Sequence, residues 1–481
     1  MKDRIRTKRT VFIFISFSWT MQGRQTKHSQ KRCWAIFLTL LSNNALQCHS
    51  FAWFHLKQQK GTLSDSSLSS LPHEWIVPQG VAFGSLDKLQ FLPMPEGPES
   101  GHRSTCLCTV STRAIGLNFA DIFCVLGLYA AANEIRNGTA FCPGLEFAGV
   151  IVDDPTNTYQ PGQRVFGFTR FGAYADIVRV PPDYLWPLPS SWTFTDGASF
   201  LVQALTAWHG LVEIARMPTI KASNTTYVVM VHSAAGGVGL WASEIAARRG
   251  AVVIGVVGSN VKEQVFRQRI IPLSPRSRTL IRGEERSFAK RLAALLYEIH
   301  NGSTRGNRED LTSLRKQGHG VDIIMESLGG QYFSDSFESL NSGGALVTFG
   351  STSYVNPGMG INTLRLVWRY LNRPKIDPGA LTARNIRLAG FNLIYLTDQV
   401  ATLRQELEDC MGTLNCNSHN SAGFKPSWLG MNPLENVTKP VIGKVFDFRT
   451  ETVLAMEVLK SGKTTGKIVL ENGNNSIGLQ R

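Results

Sequence analysis

Apolar positions along this chain fall into short runs whose rhythm changes twice. Residues 145–152, 164–168 and 176–180 alternate or run apolar between Gly and Pro, which predicts strands of a β-rich unit. From about Thr206 strand-like runs alternate with helical ones. Residues 227–232 predict a buried strand, 238–249 an amphipathic helix and 251–257 the next strand, with two more at 321–326 and 345–350. Such alternation predicts a doubly wound parallel sheet. Past about residue 375 shorter strands return, at 386–395 and 467–470. The fold class is therefore α/β. A β-rich unit in two separated segments, 73–205 and 373–471, brackets a dinucleotide-binding unit at 206–372. Polar stretches near 299–318 and 411–437 read as surface insertions and 472–481 as a tail, and no internal repeat is present.

The first 72 residues follow neither rhythm. Their apolar runs, 11–19 and 34–41, fall short of the roughly 18–20 residues a membrane-spanning helix needs. The second run follows Lys31-Arg32 and leads into small and polar residues, the shape of a signal peptide. Phe51-Ala52-Trp53-Phe54 and a stretch without acids up to Asp65 then resemble a bipartite plastid presequence. A start at Met21 would give that signal peptide a basic region of normal length; the alternatives to the plastid reading are a plain secretory or mitochondrial leader, or a wrongly assigned gene start. The expectation is a targeting leader over 1–72, removed on the way to an organelle.

Net charge looks at first like a pointer to nucleic acid, at +14. Its distribution says otherwise: residues 1–60 carry eleven Lys and Arg against the single acid Asp3, leaving only +4 for the rest. Nucleic-acid binding is excluded on that ground. The body also lacks a polybasic run or lipidation motif that would favour a membrane. None of the eight cysteines forms a C-x-x-C pair, and no histidine spacing beside them completes a zinc pattern.

The candidate chemistry starts at the strand 227–232. It runs into Ser233-Ala234-Ala235-Gly236-Gly237-Val238-Gly239 and then a helix, the context a glycine fingerprint requires. Gly236 lets backbone approach a pyrophosphate, Gly239 lets helix and strand pack closely, and the helix N-terminus offers N–H groups to phosphate. Ala234 stands where the first glycine usually is. The next strand decides the cofactor. An enzyme using NAD places an acid at its end for the ribose 2′-hydroxyl; here Gly258-Ser259-Asn260-Val261-Lys262 follows, with no carboxylate to repel a 2′-phosphate. Ser259 and Lys262 are placed to bind one, and NADPH is the expected cofactor.

These segments, together with Gly116-Leu117-Asn118-Phe119-Ala120-Asp121, Gly127-Leu128-Tyr129 and Pro143-Gly144-Leu145-Glu146-Phe147-Ala148-Gly149, resemble the quinone oxidoreductase (zeta-crystallin) branch of the medium-chain dehydrogenase/reductases. The runs 320–330 and 343–351 continue the resemblance. Trp368, residues 381–393 and the closing Gly466-Lys467-Ile468-Val469-Leu470 look most like its vesicle amine transport protein subgroup. It covers roughly 76–471 and implies a GroES-like catalytic domain with an inserted Rossmann domain, in a homodimer. Zinc-dependent relatives carry Cys and His where this chain has Asn118 and Leu145, and the loop that holds a structural zinc is absent between Phe168 and Ala175. Metal catalysis is therefore excluded on ligand count. Phe123 replaces a tyrosine frequent in quinone reductases, and Arg282 falls near the place of a tyrosine that contacts the 2′-phosphate.

What the resemblance implies is hydride transfer from NADPH to a quinone or α,β-unsaturated carbonyl. Catalytic roles fall to Asn118 as a neutral donor, to Asp121 as its orienting partner, and to Tyr129 as either donor or packing. Thr206, Leu328, Phe349, Gly350 and Phe391 are expected beside the cofactor, with Gly236, Gly237, Val238, Gly239, Ser259 and Lys262. The subgroup also implies a second possibility, a membrane- or lipid-associated protein that keeps a nucleotide site.

Overall fold

Val228-Val229-Met230-Val231 and the run Val252–Val257 present no polar face, so both strands have to be covered on two sides. The computed structural model of the chain, which describes residues 71–94, 106–136, 139–220, 226–283, 287–302, 310–352, 360–415 and 437–473, meets that demand with a doubly wound sheet. The expected leader lies outside the described residues but for Leu71 and Pro72, as do most of the 411–437 insertion and of the tail.

The first part of the chain supplies β1 (His73–Ile76), β2 (Gln90–Pro93), β3 (Cys108–Leu117), β4 (Glu146–Asp153), β5 (Arg164–Phe168), β6 (Ile177–Val180) and β7 (Leu185–Pro187). The middle supplies β8 (Val228–His232), β9 (Val252–Val257), β10 (Arg278–Ile281), β11 (Val321–Glu326), β12 (Leu340–Thr348) and β13 (Arg387–Gly390). The end returns β14 (Ile442–Asp447) and β15 (Lys467–Glu471) to the first sheet, in the order β14-β15-β3-β4-β5-β7 with β6 on β3. The middle strands form one parallel sheet in the order β10-β9-β8-β11-β12-β13. That order reverses between β8 and β11, where a Rossmann fold opens its binding crevice.

Helices fix how the two sheets meet. α1 (Phe119–Val125) follows β3, and α2 (Leu201–Trp208) leads from the first sheet into the second. α3 (Gly237–Arg248), α4 (Asn260–Ile270) and α5 (Gln331–Glu338) link successive parallel strands. α6 (Val400–Leu414) packs on α2 and α3, and α7 (Thr452–Lys460) joins β14 to β15. One core cluster runs from Phe166 and Trp186 of the first sheet through Phe200 to Trp241 of α3. Edge-on ring pairs hold it, Trp192–Phe200 at 5.2 Å and Phe200–Trp241 at 5.3 Å.

The sequence expectation differs from this fold in three places. The strand expected over 386–395 is only β13, followed by a 3-10 turn at Leu393–Leu396. β13 pairs in parallel with β12 through Ala345↔Arg387 to Thr348↔Gly390, so the parallel sheet runs past the boundary expected at 372. Polar 299–318, expected as an insertion, includes the end of a helix at Asn301 and a second helix, Leu311–Lys316, whose Leu311 and Leu314 are buried.

Candidate functional site

At the carboxyl end of β8 the chain must turn sharply into α3. Ser233 takes the left-handed conformation at φ 53°. The strain therefore falls on Ser233, and Ala234 in the place of the first glycine adds none. Gly239 has no alternative: a Cβ there would lie 2.3 Å from the Ser233 carbonyl oxygen and 2.8 Å from Ala234 Cα. At Gly236 a Cβ would meet only the Ser233 carbonyl oxygen, at 3.3 Å, and that residue faces the cleft. Gly236 caps α3, whose first-turn N–H groups have no partner within the helix and provide an anion cradle. The other sheet closes on this loop, since the Gly466 N–H donates to the Ala235 carbonyl at 2.7 Å. Only glycine fits at 466, with φ 57° and a Cβ that would sit 2.1 Å from the Val441 carbonyl oxygen.

Beyond β9 the crevice becomes cationic. Ser259 caps α4 by accepting the Lys262 N–H at 3.5 Å and is exposed at the rim, not among the residues lining the cleft. Lys262 reaches across to the Gly462 carbonyl of the α7–β15 loop. Burial, then the neighbouring Arg282 charge, pushes its ammonium down to about 8. The Arg282 guanidinium packs over Gly258, 3.0 Å from where a Cβ would be. Burial also lowers Arg282, opposed by Tyr332 and then by Glu326. Neither cation forms an ion pair within 4 Å among the described residues. Two half-desolvated cations held side by side attract a dianion.

Under the catalytic half lies a second polar cluster. Glu146 opens β4 and Lys467 opens β15, both nearly inaccessible, and their charges meet at 2.6 Å. Lys467 also donates to Asn118 Oδ1 at 2.8 Å. Gln203 of α2 donates to Asn118 Oδ1 and Glu146 Oε1, each at 2.9 Å, and the Val202 N–H donates to Glu146 Oε2 at 3.1 Å. Asn118 in turn donates to the Gly116 carbonyl at 3.1 Å and to Glu146 Oε1 at 3.0 Å. Both its amide protons are engaged inside the protein. The free donor expected of Asn118 is therefore absent from this geometry, and Asn118 is a link that joins β3, β4, α2 and β15.

Asp121 is fully buried behind it. Its Oδ2 accepts the Asn118 main-chain N–H at 2.8 Å and the Tyr174 hydroxyl at 3.2 Å. Burial raises the carboxyl to about 7, against those two bonds and the charge of Lys467. Asp121 does not line the cleft. Tyr129 does; its hydroxyl donates to Asn392 Oδ1 at 2.7 Å, and burial pushes it up from its ordinary value.

A single cleft of about 1490 Å³ joins these parts. The structure brings Asn118, Tyr129, Thr206, Gly236, Gly237, Val238, Gly239, Lys262, Leu328, Phe349, Gly350 and Phe391 onto its walls, and leaves out Asp121 and Ser259. Thr206 lines it with its hydroxyl bonded back to the Val202 carbonyl at 2.6 Å. Sequence reasoning gave no role to Glu146, Gln203, Lys467 or the 461–466 loop. Glu146 and Lys467 stand at the first positions of their strands, where a single charge reads as a solvated end. Among the described residues no group of three or more His, Cys, Asp or Glu is placed to hold a metal.

The GroES-like sheet, the Rossmann sheet and the cleft they line give the chain the fold of the medium-chain dehydrogenase/reductases, and its sequence is similar to members of the quinone oxidoreductase type. The alcohol dehydrogenase GroES-like domain family matches residues 107–190. The mouse synaptic vesicle membrane protein VAT-1 homolog is 26% identical over 395 residues, 82% of each chain. Mouse quinone oxidoreductase is 24% identical over 364 residues, 75% of this chain and 88% of that protein. Among solved structures, mycobacterial Rv1454c complexed with NADPH has a TM-score of 0.60 at 22% identity, covering 83% of this chain and 99% of that one. The human VAT-1 homolog-like protein has 0.56 at 21%, with the same coverage.

Proposed function

We propose that the protein reduces quinones or α,β-unsaturated carbonyl compounds with NADPH. The observation that carries this reading is the pair Lys262, in the first turn of α4 after β9, and Arg282, just past β10 and packed over Gly258, beside the β9 end where a carboxylate would stand in an enzyme built for NADH. The residues fit the cofactor. Gly236–Gly239 and the α3 N-terminus cradle its pyrophosphate, Lys262 and Arg282 meet its 2′-phosphate, and Ser259 adds a hydroxyl at the rim. Thr206, Leu328, Phe349, Gly350 and Phe391 wall the nicotinamide end.

When bound, NADPH would supply a hydride, whose electron pair becomes the new C–H bond of the substrate while the displaced π electrons move onto its carbonyl oxygen. That oxygen needs a hydrogen-bond donor as its charge grows. The Asn118 protons are engaged, and so is the one hydroxyl proton of Tyr129, on Asn392 Oδ1. Of the two, Tyr129 can turn its hydroxyl about a single bond, and it would donate to the substrate oxygen by leaving that acceptor. Its raised pKa keeps it a protonated donor across the physiological range. Asn392, bonded to Tyr129, holds the hydroxyl at the cleft wall.

A panel of quinones and alkenals assayed with NADPH and NADH tests the reading, which no substrate-dependent oxidation of NADPH would sink. Lys262→Ala and Arg282→Ala should each weaken NADPH binding about tenfold or more, the loss of one charge-assisted bond, and barely change NADH. Equal losses for both cofactors would make the two cations structural. In the same assay Tyr129→Phe should lower turnover by roughly 10²–10³ with NADPH affinity intact. An unchanged rate would leave Tyr129 as packing.

A further inference from the structure

Gln203 stands one turn before Thr206 on α2. A helix sets residues three apart on one face, and both line the cleft. The Gln203 side chain is 2% exposed and passes over the first turn of α3. A Cβ at Gly237 would lie 2.9 Å from its Cγ and 3.8 Å from its Oε1. Its partners fix which way the amide lies. Nε2 has two protons and faces two acceptors, Asn118 Oδ1 and Glu146 Oε1, each at 2.9 Å. The reversed amide would set its oxygen against a carboxylate. Oε1 is left buried, with no hydrogen-bond partner among the described residues.

A buried carbonyl oxygen without a donor is unfavourable, and a ligand that brings one removes that cost. Two parts of the cleft bracket this oxygen. On one side is the turn Gly236–Gly239 with the α3 N-terminus, the cradle for a pyrophosphate. On the other is Thr206, part of the wall at the nicotinamide end. Pyrophosphate oxygens only accept, and Oε1 would repel them. Between its pyrophosphate and its nicotinamide ring a dinucleotide has one ribose, whose 2′- and 3′-hydroxyls are donors.

We infer that Gln203 Oε1 accepts a hydrogen bond from a hydroxyl of the nicotinamide-side ribose, which ties the bound dinucleotide to the network of Asn118, Glu146 and Lys467. This rests on the reading of the cleft as a dinucleotide site. The network gives the oxygen its position, since both amide protons are held and the side chain has one way to lie. Gln203 is then a binding and positioning residue. It holds the ribose, and through it the nicotinamide, and takes no part in hydride transfer.

The test measures Kd by fluorescence titration for wild type and Gln203→Met. Met keeps the length of the side chain. Glu146 keeps Lys467, Asn118 and the Val202 N–H as donors, and Asn118 Oδ1 keeps Lys467. The ligands are NADPH, its two analogues lacking the 2′- or the 3′-hydroxyl of the nicotinamide-side ribose, and its 3-acetylpyridine analogue, which lacks the carboxamide N–H. The last is 2′-phosphoadenosine 5′-diphosphate, a fragment that ends at the pyrophosphate. Gln203→Met should weaken NADPH and the acetylpyridine analogue about five- to tenfold and leave the fragment within about twofold. One of the two deoxy analogues should bind both proteins alike, because the hydroxyl and its acceptor act as a pair. An unchanged NADPH Kd, or equal weakening of fragment and NADPH, overturns the inference. So do two deoxy analogues as sensitive to the substitution as NADPH, or an acetylpyridine analogue that no longer feels it. Should the variant not fold, wild type decides alone. One deoxy analogue about fivefold or more weaker than NADPH is then the expected result, and two as tight as NADPH overturn it. A wild type that binds neither NADPH nor the fragment overturns instead the dinucleotide reading beneath it.

Discussion

Lys467→Met should lower the unfolding free energy by roughly 3–5 kcal/mol, the usual cost of leaving one partner of a buried ion pair alone. The side chain is 4% exposed and Glu146 is 0%, so water cannot take the place of the lost ammonium. Burial lowers the pKa of Lys467, and Glu146 and then Asp121 oppose that shift, so the amine is held charged by its surroundings alone. Glu146 keeps three donors in the variant, the Val202 N–H and the side chains of Gln203 and Asn118. All three are neutral and cannot balance its charge. The double variant Glu146→Leu/Lys467→Met decides what the pair is for. Removing both charges should recover most of the stability, since apolar replacements of a buried pair are often neutral. Turnover should stay low, because Asn118 and Gln203 then lose the acceptors that fix β3 against α2 at the cleft. Denaturant titration gives the first quantity and NADPH oxidation the second. A double variant of wild-type activity would reduce the cluster to packing.

The parts of this molecule that were legible in the sequence are those whose cause is local. Strands such as 228–232 and 252–257 announce themselves because burial on both faces demands an unbroken apolar run. The loop at 233–239 was readable because the chemistry of a tight turn selects glycine at fixed offsets. β13 was misplaced because an edge strand of four half-exposed residues carries little pattern, and its pairing with β12 is set by tertiary context. The Asn118 cluster was invisible for the same reason on a larger scale. Its bonds join residues 28, 85 and 349 positions apart, and each residue alone has an unremarkable local reading. Lys467 begins an apolar strand, where one charge reads as a solvated end. Only the meeting of β15 with β3 and β4 turns it into the centre of a buried network.

Asp121→Asn should stabilise the protein, and the gain should depend on pH in a defined way. Burial holds the folded carboxyl near 7, against an ordinary value of 3.8. A group raised on folding contributes stability that is fully present below the unfolded value and lost as pH climbs through the folded one. The loss in wild type therefore accumulates from about pH 4 to about pH 7 and is complete above that, worth on the order of 4 kcal/mol for a shift of about three units. Asparagine has no proton to lose, and its carbonyl oxygen can still accept the Asn118 N–H and the Tyr174 hydroxyl that Asp121 accepts now. The variant should match wild type near pH 4, exceed it increasingly up to pH 7, and keep a constant advantage at pH 8 and 9. Thermal unfolding across that range measures the difference directly. A variant less stable than wild type at pH 8 would mean that the Asp121 charge, facing Lys467 through the Asn118 turn, is held ionised by more than the two bonds named here. An advantage unchanged between pH 4 and pH 8 would show that the carboxyl does not titrate in this window at all.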